Sequence, residues 1–276
     1  MTQVHPLDPN RHRTHGWKRH DHYRFAAKDA WAPLLIAELP AALAVYPLAF
    51  APNSEGGYQL VALQGLHEGQ NLLVTPDGRW AAGYTPSHYR GYPFSLQRLR
   101  PEAKGHEKQQ WVLCFDHASR LYRERPDHDR GEQRFFDDRG EPTRLMARLL
   151  SFLKQTASNR ELTDRAVAVL ERAGLLVDWS LPVESPDAER PLLAGLKRVD
   201  QPALNALSAA DLAKLRDTNA LPLAYGQLFS QSRLGVLKKF AALHAEYAAR
   251  RAQAAPENLG CLFGEGDDDL EFDFER

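Results

Sequence analysis

Residues 80–94 bring Trp80, Tyr84, Arg90, Tyr92 and Phe94 into one short stretch, with His88 among them and Pro86 and Pro93 as fixed corners. A guanidinium can pair bidentately with a carboxylate or phosphate, and it can stack on Tyr or Trp faces. A pocket built from these five side chains would hold a peptide, an aromatic ligand or a sugar. They are therefore the candidate ligand-binding residues. The same residue types also suit a structural role, with Trp80, Tyr84 and Phe94 in the core and Arg90 satisfying buried carbonyls or Asp116.

Acid–base chemistry has weaker candidates in His88, Asp116 and His117. The Asp116-His117 pair follows an apolar run with the length of a buried strand, and strand ends present side chains to clefts. An Asp-His dipeptide also suits an ordinary turn. No nucleophile elbow, phosphate-binding glycine loop, HExxH or facial-triad motif accompanies the pair. His12, His15, His20 and His22 could capture zinc or nickel, but their spacing is not that of a finger and no cysteine joins them. The other reading is a solvated basic arm. No cofactor is called for. The C-terminal Asp267–Phe274 run interleaves acids with Leu270, Phe272 and Phe274, a pattern that can dock on a basic, hydrophobic groove or simply solvate a tail.

Composition narrows the classes. A formal net charge of -1 argues against a general nucleic-acid binder, which needs a strong basic excess. Two cysteines, Cys114 and Cys261, are too few for a disulfide framework or a zinc ribbon and fit a reduced, cytoplasmic setting. No apolar run approaches the roughly 20 residues of a membrane span. The first 30 residues carry no hydrophobic segment of a secretory signal, so export would need another route.

These residues need elements to hold them. Residues 1–30 read as an extended, basic, His-rich arm. Residues 31–142 read as strand-rich: a short helix at 36–45, strands at 46–51, 58–66, 71–75 and 80–84, and a buried strand at 110–116. The 58–66 and 71–75 strands are expected to form a hairpin, and Asp77-Gly78 a second reversal. Residues 98–109 read as a polar loop and 120–133 as a charged, exposed stretch. A further short strand is expected at 134–137.

Residues 143–255 read as helical. Leu145, Leu149, Phe152 and Leu153 make one apolar stripe, and Ser158-Asn159-Arg160-Glu161 resembles a capping box that would start a new helix with Leu162 facing in. Gly174 suits a helix stop, residues 179–191 a connector, and Ser208 an N-cap. The last helix, 231–254, places Leu234, Leu237, Ala241, His244 and Ala248 on one side. Residues 256–276 read as an acidic, disordered tail. Segregated strands and helices point to the α+β class, with the strand-rich and helical parts packed as one body.

The stretch EGQNLLVTPDGRWAAGYTPSHYRGYPFSL resembles the signature of the bacterial SapC family. Other pieces agree in order: Glu38 before AVYPLAF, then VALQGL, WVLCFD and FFDDRGEPT, and LKRVDQPALNALSAADLAKLRDTNALPLAYGQLFSQSRL near the end. The resemblance covers residues 15–237. Leu73 and Gly91 depart from it, standing where Phe and Arg are common. The resemblance implies a link to a bacterial surface layer and brings no catalytic residues. It does not extend to the peptide-uptake permease that bears the same label.

The expected function is a binding or accessory module for a peptide or protein client linked to the cell envelope, with the acidic tail as a second contact. An enzyme acting on a peptide or aromatic substrate is the alternative, and a structural surface-layer component is a third reading.

Overall fold

The computed structural model describes residues 4–98, 111–182 and 192–254. The 98–109 loop except Arg98, most of the 179–191 connector and the acidic tail lie outside the described residues. In chain order the elements are β1 (Val4–Pro6), α1 (Pro9–His12), β2 (Gly16–Trp17), β3 (Trp31–Pro33), α2 (Leu39–Ala42), β4 (Leu48–Pro52) and β5 (Tyr58–Leu63). They continue with α3 (Ser87–Arg90), β6 (Phe94–Arg98), β7 (Trp111–Asp116), β8 (Tyr122–Arg123), β9 (Gln133–Arg134) and α4 (Arg144–Arg172). Last come β10 (Leu176–Asp178), β11 (Lys197–Val199), α5 (Gln201–Asn205), α6 (Ala209–Asp217), α7 (Ala220–Ser230) and α8 (Leu234–Ala254).

The strands form three antiparallel sheets: β10-β11-β4-β5-β3, β1-β7-β6 and β8-β2-β9. The fold is α+β. Leu48 to Ala51 and Leu60 to Leu63 are buried throughout, because helices cover the sheet: α4 packs on β5, and α7 on β4 and β11. Strands β11 and β4 pair only at Lys197 and Phe50. Gln227 of α7 repairs the gap. Its amide donates to the Leu48 carbonyl at 3.1 Å and its oxygen accepts from Val199 N at 2.9 Å, so buried backbone groups that the ladder leaves open find partners.

Several expectations change. Residues 4–30 are not an extended arm. Strand β1 pairs with β7, and β2 lies between β8 and β9. Trp17 is buried, stacked on Phe135 with centroids 5.3 Å apart. A two-residue strand needs no long apolar run, so the sequence pattern did not signal it.

Residues 71–75 do not pair with β5 as a hairpin. A strand has two edges, and those of β5 are taken by β3 and β4. Leu72 and Leu73 are buried all the same, held by backbone bonds such as Leu72 N to the Gln64 carbonyl. The Asp77-Gly78 reversal is present, with Gly78 at φ +90° and a bridge between Val74 and Trp80, but 80–84 adds no strand.

Helix α4 runs unbroken for 29 residues, so Ser158 starts no new helix. Its buried positions include Met146, Leu153, Ala166, Val167 and Leu170, while Leu145 and Leu162 are each 41% exposed. Packing on the sheet keeps the helix continuous and overrides a local capping signal. Its true start is Thr143, whose Oγ1 accepts from Met146 N, and it stops at Gly174, φ +69°. Within 120–133, Glu132 is buried and accepts from Arg123 at 2.6 Å. The helical half also sends β10 and β11 into the five-stranded sheet.

Candidate functional site

Glu38 is the one acid in the apolar run 31–50, and it is buried. A buried carboxylate is costly unless donors surround it. Here Oε1 accepts from Tyr84 Oη at 2.6 Å and Ser87 N at 2.7 Å, while Oε2 accepts from Ser87 Oγ at 2.8 Å and Leu35 N at 3.0 Å. Two of these donors belong to Ser87, the first residue of α3. Pro86, just before it, has φ -53°. The carboxylate thereby fixes a one-turn helix too short to be stable alone.

That helix presents Arg90 on one side and His88 on another. The Arg90 Nη2 lies 3.6 Å from Glu38 Oε1 and donates to Tyr84 Oη at 3.2 Å. Its guanidinium sits 5.6 Å from the Tyr84 ring and 5.3 Å from the Phe152 ring. The side chain is still 45% exposed. Burial, and then the hydrogen bond to the Glu38 carboxylate, push the Tyr84 phenol above its ordinary pKa, so Tyr84 stays a donor.

Two clefts flank the 91–94 segment, and both are lined by Gly91 and Phe94. The first, of about 850 Å³, is lined by Arg19, His20, Tyr23, Arg90, Tyr92 and Phe94, with Leu145 and Leu149 of α4. Tyr92 stacks on Phe25 at 3.8 Å, and His20 packs edge-on against Tyr23, Phe25 and Tyr92. Burial, with Arg19 beside it, holds the His20 imidazole below its ordinary pKa. The second cleft, of about 970 Å³, is lined by Ser87, His88, Trp111, Arg160 and Asp164 among others. His88 keeps an accessible edge there. Crowding by protein and the nearby Arg160 cation lower its pKa, so it stays neutral and basic near pH 7.

Of the five candidate ligand-binding residues, Arg90, Tyr92 and Phe94 line the first cleft. Trp80 and Tyr84 brace it from behind. Trp80 Nε1 donates to the Tyr84 carbonyl at 2.8 Å, and its ring packs 5.3 Å from both Tyr23 and Tyr89. The partner of Arg90 is Glu38, not Asp116.

The acid–base candidates do not converge. Asp116 ends β7 and caps Ala118 N at 3.0 Å. His117 packs against His5 at 5.0 Å and Tyr122 at 4.3 Å, on the β1–β7 side, away from the surroundings of His88. The four N-terminal histidines also separate. His12 and His15 gather around Tyr122, with His15 Nδ1 bonded to its hydroxyl. His20 lines the first cleft and His22 sits beside Asp21. Among the described residues no three His, Cys, Asp or Glu side chains are grouped to hold a metal ion. Cys114 is buried, and burial raises its thiol pKa.

Sequence reasoning missed the role of Glu38 and the contribution of Arg19, His20 and Tyr23 to the cleft. Glu38 carried a signal, since a lone acid in an apolar run must find buried partners. The other three carried none, because their segment reads as polar.

No helix among the described residues is long and apolar enough to cross a membrane. Comparison with curated proteins and with solved structures found no match. A family model described as SapC matches residues 7–237. That span holds both clefts, the Glu38 network and every strand except β1, and on it the chain belongs to the SapC family.

Proposed function

We propose that this chain is a binding module for a peptide or protein client, with the cleft of Arg19, Arg90, Tyr92 and Phe94 as its recognition surface. The observation that carries the reading is Arg90 itself. Its guanidinium is held by Glu38, Tyr84 and Phe152 yet remains half exposed over aromatic walls. A cation already ordered loses little freedom on binding, which favours affinity. The volume suits a few side chains of a peptide. A carboxylate would meet Arg90 and Arg19, and a neighbouring aromatic or aliphatic group would meet Tyr92, Leu145 and Leu149.

The link to the bacterial cell envelope or surface layer rests on the family resemblance, and action in the cytoplasm on the cysteine usage. The second reading, an enzyme, draws on His88, a neutral base in the larger cleft.

The test is affinity capture on the intact protein, then titration of the captured client against Arg19→Ala and Arg90→Ala. Both variants are expected to weaken binding tenfold or more, about 1.4 kcal/mol. Arg19 is exposed, so its replacement should leave the melting temperature unchanged. Binding that survives both changes, with stability lost only in Arg90→Ala, would assign Arg90 a purely structural role.

A further inference from the structure

Helix α8 borders a groove of about 490 Å³ whose other wall is formed by Leu72, Pro76 and Ala81. Leu243 (58% exposed) and Tyr247 (50%) line it and keep much of their surface in solvent. An apolar patch with a charged rim marks a docking surface. Arg250 and Glu246 of the lining pair at 2.6 Å, and α8 as a whole carries Lys238, Lys239, Arg250 and Arg251 against Glu246, a net charge of +3.

The sequence continues past α8 with residues 255–276. These hold eight acids and one arginine, a net charge of -7. The whole chain carries -1, so residues 1–254 carry +6. Leu270, Phe272 and Phe274 alternate with Glu271, Asp273 and Glu275. With a period of two, an extended backbone would put the three apolar groups on one face and the acids on the other. Returning from Ala254 to the level of Leu243 requires about 16 Å along the helix. The stretch from Ala254 to Leu270 can reach about 50 Å.

We propose that residues 270–274 of this chain's own C-terminal segment dock in the α8 groove. Leu270, Phe272 and Phe274 would face Leu243 and Tyr247, and the acids the basic side chains that α8 carries. Tethering gives the segment a millimolar effective concentration, so a weak contact is well populated.

The test uses the full chain, with a nitroxide on Arg276→Cys in a Cys261→Ser background. Cys114 is 2% exposed and escapes labelling. The methyl signals of Leu72 and Leu243 are expected to lose most of their intensity. They should recover in about 1 M salt, where the screening length falls to ~3 Å. Leu243→Glu, on an exposed position, should also abolish the effect while near-ultraviolet circular dichroism stays unchanged. Absent or unselective broadening would overturn the proposal. So would broadening seen only between labelled and unlabelled copies in a mixed sample, which would assign the groove to a second copy.

Discussion

Glu38 Oε1 lies 3.6 Å from Arg90 Nη2, but its close partners are Tyr84 and Ser87, at 2.6 and 2.7 Å. The carboxylate is thus satisfied by neutral donors, and the arginine completes the site without being consumed by it. This leaves the guanidinium exposed at the cleft while its base stays fixed.

Glu38→Gln tests that division of labour. An amide keeps the shape but turns an NH2 group toward donors, leaving buried hydrogens facing each other. The expected loss is about 2–4 kcal/mol of stability, read from urea unfolding. Client affinity per folded molecule should fall too, because α3 loses its anchor. Wild-type stability in this variant would mean the Glu38 network is not structural.

Gly16 is fixed by contact rather than by backbone angle. A Cβ there would run into the Gln133 carbonyl oxygen. Gly16→Ala should therefore force β2 out from between β8 and β9, at a cost of about 2 kcal/mol or more. Faster hydrogen exchange confined to 14–18 and 120–135 is the expected signature. Unchanged exchange would show that β2 tolerates a side chain.

Thr163 joins α4 to the segment that carries Glu38. It is fully buried, accepting from Ile36 N at 2.9 Å and donating to the Asn159 carbonyl at 2.7 Å. Thr163→Val keeps the volume but leaves the Ile36 N–H without this acceptor, an expected cost of about 1–3 kcal/mol. A calorimetric melt of the two proteins checks it, and an equal or higher melting temperature for the variant would refute it.

The histidines around Tyr122 make the N-terminal segment acid-sensitive. Burial is the main cause that lowers the pKa of His12 and of His117 from the ordinary 6.5. His15 and Arg11 add to it at His12, and His5, His12 and Arg11 at His117, while Asp8 and Asp116 act in the opposite sense. The unfolded chain therefore takes up protons first as pH falls. Stability is at its full value above about pH 6.5 and declines below it, toward the lowered folded pKa. Melting temperature measured from about pH 7.5 to 5 should show this decline, and His12→Gln should flatten it. Identical slopes in the two proteins would remove His12 from the account.

The local grammar of the chain was legible. The runs that became β4, β5 and β7, the turn at Gly78, the stop at Gly174 and the cap at Ser208 each follow from residue type and spacing. So did family membership and three of the cleft residues, Arg90, Tyr92 and Phe94, because aromatic and guanidinium groups clustered beside prolines are visible in one dimension. Pairing was decided by the tertiary structure. Only there are the edges of β5 already occupied, so residues 71–75 pair elsewhere. Only there does sheet packing carry α4 past Ser158, and only there does a polar N-terminal segment slot Trp17 against Phe135. The partner of Arg90 was likewise a matter of space: Glu38 lies 52 residues away in the chain, and no local pattern specifies which buried charge meets which exposed one.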